Sequence, residues 1–99
     1  MQALSAIQGN KATIKLDGHF TFEGHREFKR ATNEVVDNHN VTELEIDFEK
    51  VDYMDSAALG MLLLLNERMH GRSVKLINCK GTVRSVLDVA NFAKIFTMV

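Results

Sequence analysis

The chain has 99 residues, a formal net charge of −1, 45% hydrophobic and 25% charged residues, and a single cysteine. That length supports one domain, residues 1–99, with one modest core, and the composition is that of an ordinary globular protein without low-complexity segments. The near-neutral charge offers neither a basic footprint for nucleic acid nor a cationic face for anionic lipid. The longest apolar run, Ala57–Leu65, falls far short of the roughly 20 residues of a spanning helix, and the N-terminus has no signal-type core. A cytoplasmic location without membrane insertion is expected. Cys79 has no partner for an internal disulfide and reads as a small buried hydrophobe at a strand end rather than as a nucleophile.

Ala3–Ile7 and Lys11–Asp17 read as an N-terminal hairpin, with Gly9 and Asn10 supplying residues that tolerate positive φ at the turn. Gly18-His19-Phe20 breaks the alternation. Thr21 then caps a helix reaching about Asp37, with Phe28, Ala31 and Val35 on one apolar stripe, and Asp37-Asn38-His39-Asn40 stops it. Leu44, Ile46 and Phe48 alternate with Glu43, Glu45 and Asp47, which predicts a strand with one buried and one acidic face, the latter at an edge or beside a basic neighbour.

A second helix is predicted from Ser56 to His70, burying Leu59, Leu62, Leu63 and Met69 and ending at Gly71. Val74–Asn78 is the next strand, Gly81-Thr82 opens a short helix with Val83, Val86, Leu87 and Ala90 facing inward, and Ile95–Val99 closes as a strand. Helices between successive strands imply parallel neighbours joined by right-handed crossovers. The expected architecture is therefore α/β: a mixed sheet of about five strands, an N-terminal hairpin followed by parallel strands, with three helices mainly on one face.

The polar pair Asp55-Ser56 stands where a strand ends and an apolar helix begins. The first turn of a helix has unpartnered N–H groups and the positive end of the macrodipole, so a side-chain oxygen or a phosphate is stabilised there. Capping by either residue and a phosphoryl-accepting role for Ser56 both fit this local pattern. The run Asp55-Ser56-Ala57-Ala58-Leu59-Gly60, preceded by a strand, resembles the Asp-Ser-Ser/Thr-Gly-Leu-Gly signature of the STAS domain, above all that of stand-alone bacterial anti-sigma factor antagonists. The resemblance extends over nearly the whole chain, with Ala93-Lys94-Ile95-Phe96 similar to the family's closing strand.

That resemblance implies a regulated protein-binding module that is not itself an enzyme and carries no cofactor. Ser56 takes the place of the serine phosphorylated by a partner kinase with an ATP-binding, anti-sigma-like fold; a metal-dependent serine phosphatase reverses the step, and the unphosphorylated form engages its partner or a downstream target. Asp55, Ala57, Tyr53, Gly18 and His19 fall at positions of the partner-binding surface. The output would be sigma-factor control or another programme such as biofilm formation. Alternatives are a STAS subunit docked on a lipid or anion transporter and, from another class, a small nucleotide-binding enzyme using Asp52, Asp55 and Ser56.

The chain departs from the family pattern where Ala57 replaces a second hydroxyl residue, where Ala58 replaces glycine, and where no acidic residue follows Gly18. It also ends at Val99, where longer members continue into a further helix, so an uncovered core patch or dimer contact is expected. His19, His25, His39 and His70 lack metal-ligand spacing and read as solvated residues near helix ends. Met54, Met61 and Met69 read as core filler; a surface-exposed Met61 would instead mark a partner groove.

Overall fold

The computed structural model describes residues 1–99 and contains one five-stranded sheet whose spatial order follows the chain, β1-β2-β3-β4-β5. Strands β1 (Gln2–Gln8) and β2 (Lys11–Phe20) form the antiparallel hairpin, while β3 (Glu43–Met54), β4 (Ser73–Ile77) and β5 (Thr97–Met98) add in parallel. Gly9 takes φ +61° at the hairpin turn. Asn10 does not share that conformation; its carbonyl instead accepts from the Thr42 and Glu43 amides, at 2.8 and 3.2 Å, and ties the turn to the start of β3.

Three helices, α1 (His25–Val36), α2 (Ser56–Arg68) and α3 (Gly81–Val89), make the crossovers. Because the strand order never reverses, right-handed crossovers carry all three to the same side of the sheet. Burial agrees: Ala12, Ile14, Leu16, Leu44, Ile46, Phe48, Val74 and Leu76 point into one core beneath the helices. The other sheet face is a charge ladder, in which Lys15 is in register with Asp47, Glu45 with Lys75, and Lys11 reaches Glu45 at 3.2 Å. The acidic face of β3 is thus flanked by lysines on both sides. Such exposed pairs contribute little stability, about 0–1 kcal/mol each, and keep the uncovered face hydrophilic.

Four expectations are corrected. First, β2 does not end at Asp17. Register shifts between Lys15 and Asp17 and between Gly18 and His19, with Gly18 at φ +105°, let the strand continue to Phe20. The bulges turn His19 outward and Phe20 into the core, against Phe28 at 4.9 Å. Second, Thr21 makes no side-chain cap; it precedes a 3-10 turn, Phe22–Gly24, and the α-helix proper begins at His25.

Third, α2 buries Ala58, Leu62, Leu65 and Met69, whereas Leu63 is 40% exposed and Leu59 only partly buried. Four successive leucines carry no periodicity of their own, and the 100° step per residue turns Leu63 away once Leu62 faces the sheet. Fourth, Phe92–Lys94 is a 3-10 turn entered through Asn91 at φ 59°, and only Thr97–Met98 pairs with β4. Phe92 and Phe96, four residues apart, both bury their rings, 5.5 Å between centroids, so Ala93–Phe96 follows a helical rather than an extended spacing.

Arg72 stitches the carboxyl ends of α1 and α2 together. Its guanidinium donates to the carbonyls of Val36, Asn38, Val41 and Met69 at 3.0 to 3.3 Å. No helix is long and apolar enough to cross a membrane.

Candidate functional site at the start of α2

The carboxyl ends of β2 and β3 and the amino ends of α1 and α2 meet at one rim of the sheet. Asp55 is the knot. Its extended backbone, φ −109° and ψ −178°, places it as the N-cap of α2, where Oδ1 accepts from the Ala58 amide at 3.0 Å. Oδ2 accepts a longer bond, 3.4 Å, from the Phe22 amide, and the Asp55 amide donates to the Phe20 carbonyl at 3.3 Å. One carboxylate therefore fixes the start of α2 against the turn that opens α1, which settles which of the two adjacent polar residues caps the helix.

Ser56 is thereby left free of the capping role. It is the first residue of α2 and is exposed. Immediately before it, Met54 anchors the end of β3 in the core while Tyr53 turns outward, 47% exposed. The pairing of Gly18 with Val51 and of His19 with Tyr53 sets the His19 ring edge-on to Tyr53, at 6.1 Å and 87°. His19 Nδ1 also lies 2.8 Å from Asp52 Oδ1. Because β3 stays extended to Met54, Asp52 does not curl back toward Ser56; at roughly 3.3 Å per residue it lies well down the strand, paired with His19.

Gly18, His19, Tyr53 and Asp55 share a shallow depression with Thr21 and Phe22. Ala57 belongs instead to a neighbouring groove of about 680 Å³ between α1 and α2. Phe22 borders both; it is 63% exposed and stacks on His25, with centroids 4.6 Å apart and planes at 15°. Met61 lines this groove, only partly buried, while Met54 and Met69 are core residues. Sequence reasoning missed Phe22 and Leu64 here; the ambiguous Met61 was the one signal available. Cys79 lies elsewhere, half-buried after β4, where burial pushes its thiol up to about 11 against the opposing pull of Arg84.

A mixed-sheet α/β module with an exposed serine at the start of its second helix is the class these features define. A family profile described as "Mlab, STAS domain" matches residues 4–99, and the chain belongs to the STAS domain family. A STAS-domain containing protein of Pseudomonas aeruginosa (strain UCBPP-PA14) is 36% identical over 98 residues, 95% of this chain and 93% of that protein. Among solved structures, an anti-sigma factor antagonist from Mycobacterium paratuberculosis superposes with a TM-score of 0.87 at 16% identity, covering 98% of this chain and 83% of the other. The Bacillus cell fate determinant SpoIIAA in its phosphorylated form gives a TM-score of 0.74 at 17% identity, covering 98% and 90%. These likenesses establish the same fold.

Proposed function

We propose that the chain is a phosphorylation-regulated protein-binding module of the anti-sigma factor antagonist type, switched at Ser56. In this reading the unphosphorylated form docks on its partner through Asp55, Ala57, Tyr53, Gly18 and His19. A serine kinase with an ATP-binding, anti-sigma-like fold modifies Ser56 and releases the partner; a metal-dependent phosphatase restores the binding form. Sigma-factor control and biofilm formation are outputs this switch could serve. The observation that carries the reading is the exposure of Ser56, with Asp55 rather than Ser56 holding the cap. The similarity to the phosphorylated SpoIIAA supports it.

The physics of the switch is local. A phosphoryl group adds about −1.5 to −2 charges and three acceptor oxygens. At the first residue of α2 the helix dipole favours that charge, while the adjacent Asp55 carboxylate opposes it, so the fold persists in both states. A partner packed over Ser56 must desolvate the dianion or meet it with a cation, and otherwise dissociates. The test is intact mass of the protein from its native cells, before and after phosphatase. One phosphoryl group mapping to Ser56 supports the reading; an unmodified chain that co-purifies with a membrane ATPase rejects it in favour of a transporter subunit.

A further inference from the structure

We propose that the groove between α1 and α2 receives an amphipathic helix of a protein partner, one whose apolar face is flanked by acidic side chains. The two helices follow parallel strands through successive right-handed crossovers and so run side by side in the same direction. From Ala57 to Arg68 the groove is about 17 Å long at 1.5 Å per residue, the length of three helical turns. Its walls present residues at helical spacing, His25, Phe28, Lys29 and Thr32 facing Gly60, Met61, Leu64 and Arg68. Phe22 and Leu64 stand 63% and 57% exposed, and Met61 is an adaptable surface for such a ligand.

Charge selects the partner. Lys29 and Arg68 line the groove, with His25 near its mouth, and no carboxylate lines it. Outside the groove Lys11 pairs with Glu45, Arg30 with Glu27 and Glu34, Lys80 with Glu49 and Arg84 with Asp88, while Lys15, Arg26, Lys50, Lys75 and Lys94 make no such pair. Lys29 and Arg68 have no carboxylate partner; Arg68 donates to the Asn33 amide oxygen. An acidic flank on the incoming helix completes them.

Gly60 is the independent observation. It lies inside α2 and lines the groove, yet a Cβ built there meets nothing within 4 Å and its φ is that of any helical residue. Glycine is among the poorest helix formers, so neither the helix nor the packing of this chain accounts for it. A bare backbone at the groove wall lets a second helix approach closely. The groove opens beside Ser56, so phosphorylation would set a dianion against the acidic flank; only that link rests on the proposed switch.

The test is NMR titration of the full-length ¹⁵N-labelled chain with two stapled helical peptides of about four turns. Both carry leucines at i, i+3, i+4 and i+7; one is flanked by glutamates, its twin by lysines. The acidic peptide is expected to shift the amides of Ala57, Gly60, Met61 and Leu64, and the basic twin to bind at least about tenfold more weakly. Gly60→Gln should raise Tm by several degrees while weakening the acidic peptide at least about tenfold. Equal binding of the twins, shifts confined to the open sheet face, or unchanged affinity in a folded Gly60→Gln chain would overturn the proposal, as would sodium dodecanoate filling the groove where neither peptide binds. If Ser56→Asp leaves acidic-peptide binding intact, the groove assignment stands and the switch at Ser56 loses its support.

Discussion

Replacing Asp55 separates the two things its carboxylate does. Asp55→Ala removes the 3.0 Å bond to the Ala58 amide and the 3.4 Å bond to the Phe22 amide. Loss of an N-cap costs about 0.5–2 kcal/mol, typically 1, and the longer second bond adds little. For a domain of this size about 1 kcal/mol corresponds to 4–8 °C, so Asp55→Ala should lower Tm by about that amount. Asp55→Asn keeps an oxygen for the cap, where Asn ranks with Asp, and loses only the charge, which at a solvated, salt-screened helix start is worth about 0.3 kcal/mol. It should melt close to wild type. The assay is paired thermal denaturation with hydrogen exchange at the Ala58 amide, which should lose protection in Asp55→Ala alone. Equal destabilisation by both substitutions would refute the capping argument and make the charge the stabilising element. With the fold intact, Asp55→Asn also reads out function: slower phosphorylation at unchanged Tm would show the carboxylate orienting Ser56 toward the phosphoryl donor.

Arg72→Lys should fail to rescue Arg72→Ala, because a single ammonium cannot reach the four carbonyls the guanidinium fork holds; a loss of about 3 kcal/mol by urea denaturation is expected for both. Leu62→Ala, in the core, should cost about 2–5 kcal/mol, whereas Leu63→Ala one position on should cost less than about 1, and equal losses would contradict the observed rotation of α2. Iodoacetamide should modify native Cys79 slowly at pH 8 and faster as pH approaches 11, but rapidly in urea, where the thiol returns toward 9.0. The native thiol keeps its proton to higher pH than the unfolded one. Between about 9 and 11 its contribution to stability therefore falls as pH rises, and Cys79→Ala should lack that part of the decline.

Much of the fold was legible because alternation in β2, β3 and β4 and the stripe of Phe28, Ala31 and Val35 in α1 are local signals. What escaped depends on partners distant in the chain. The bulge at Gly18 exists because β2 must stay in register with β3, and Gly18-His19-Phe20 read alone looks like a break. Leu63 and Leu65 are chemically identical, so only the docking of α2 decides which one is buried. Arg72 carries no local signal, and its role arises only where the ends of α1 and α2 converge on it. At the site, the Asp55-Ser56 junction was visible from residue types, but which of the pair caps α2 required the orientation of the Asp55 carboxylate toward Ala58 and Phe22. The groove was the least legible, since its two walls are about 30 residues apart in sequence and meet only through the crossover rule.

The central claim is that charge at position 56 decides which protein can dock. Its most direct test is calorimetric titration of the kinase proposed to act on Ser56 with the Ser56→Ala and Ser56→Asp chains, both first shown to melt like wild type. The account predicts that the alanine chain binds at least about tenfold more tightly, more than 1.4 kcal/mol. Equal affinities for the two folded chains would contradict it.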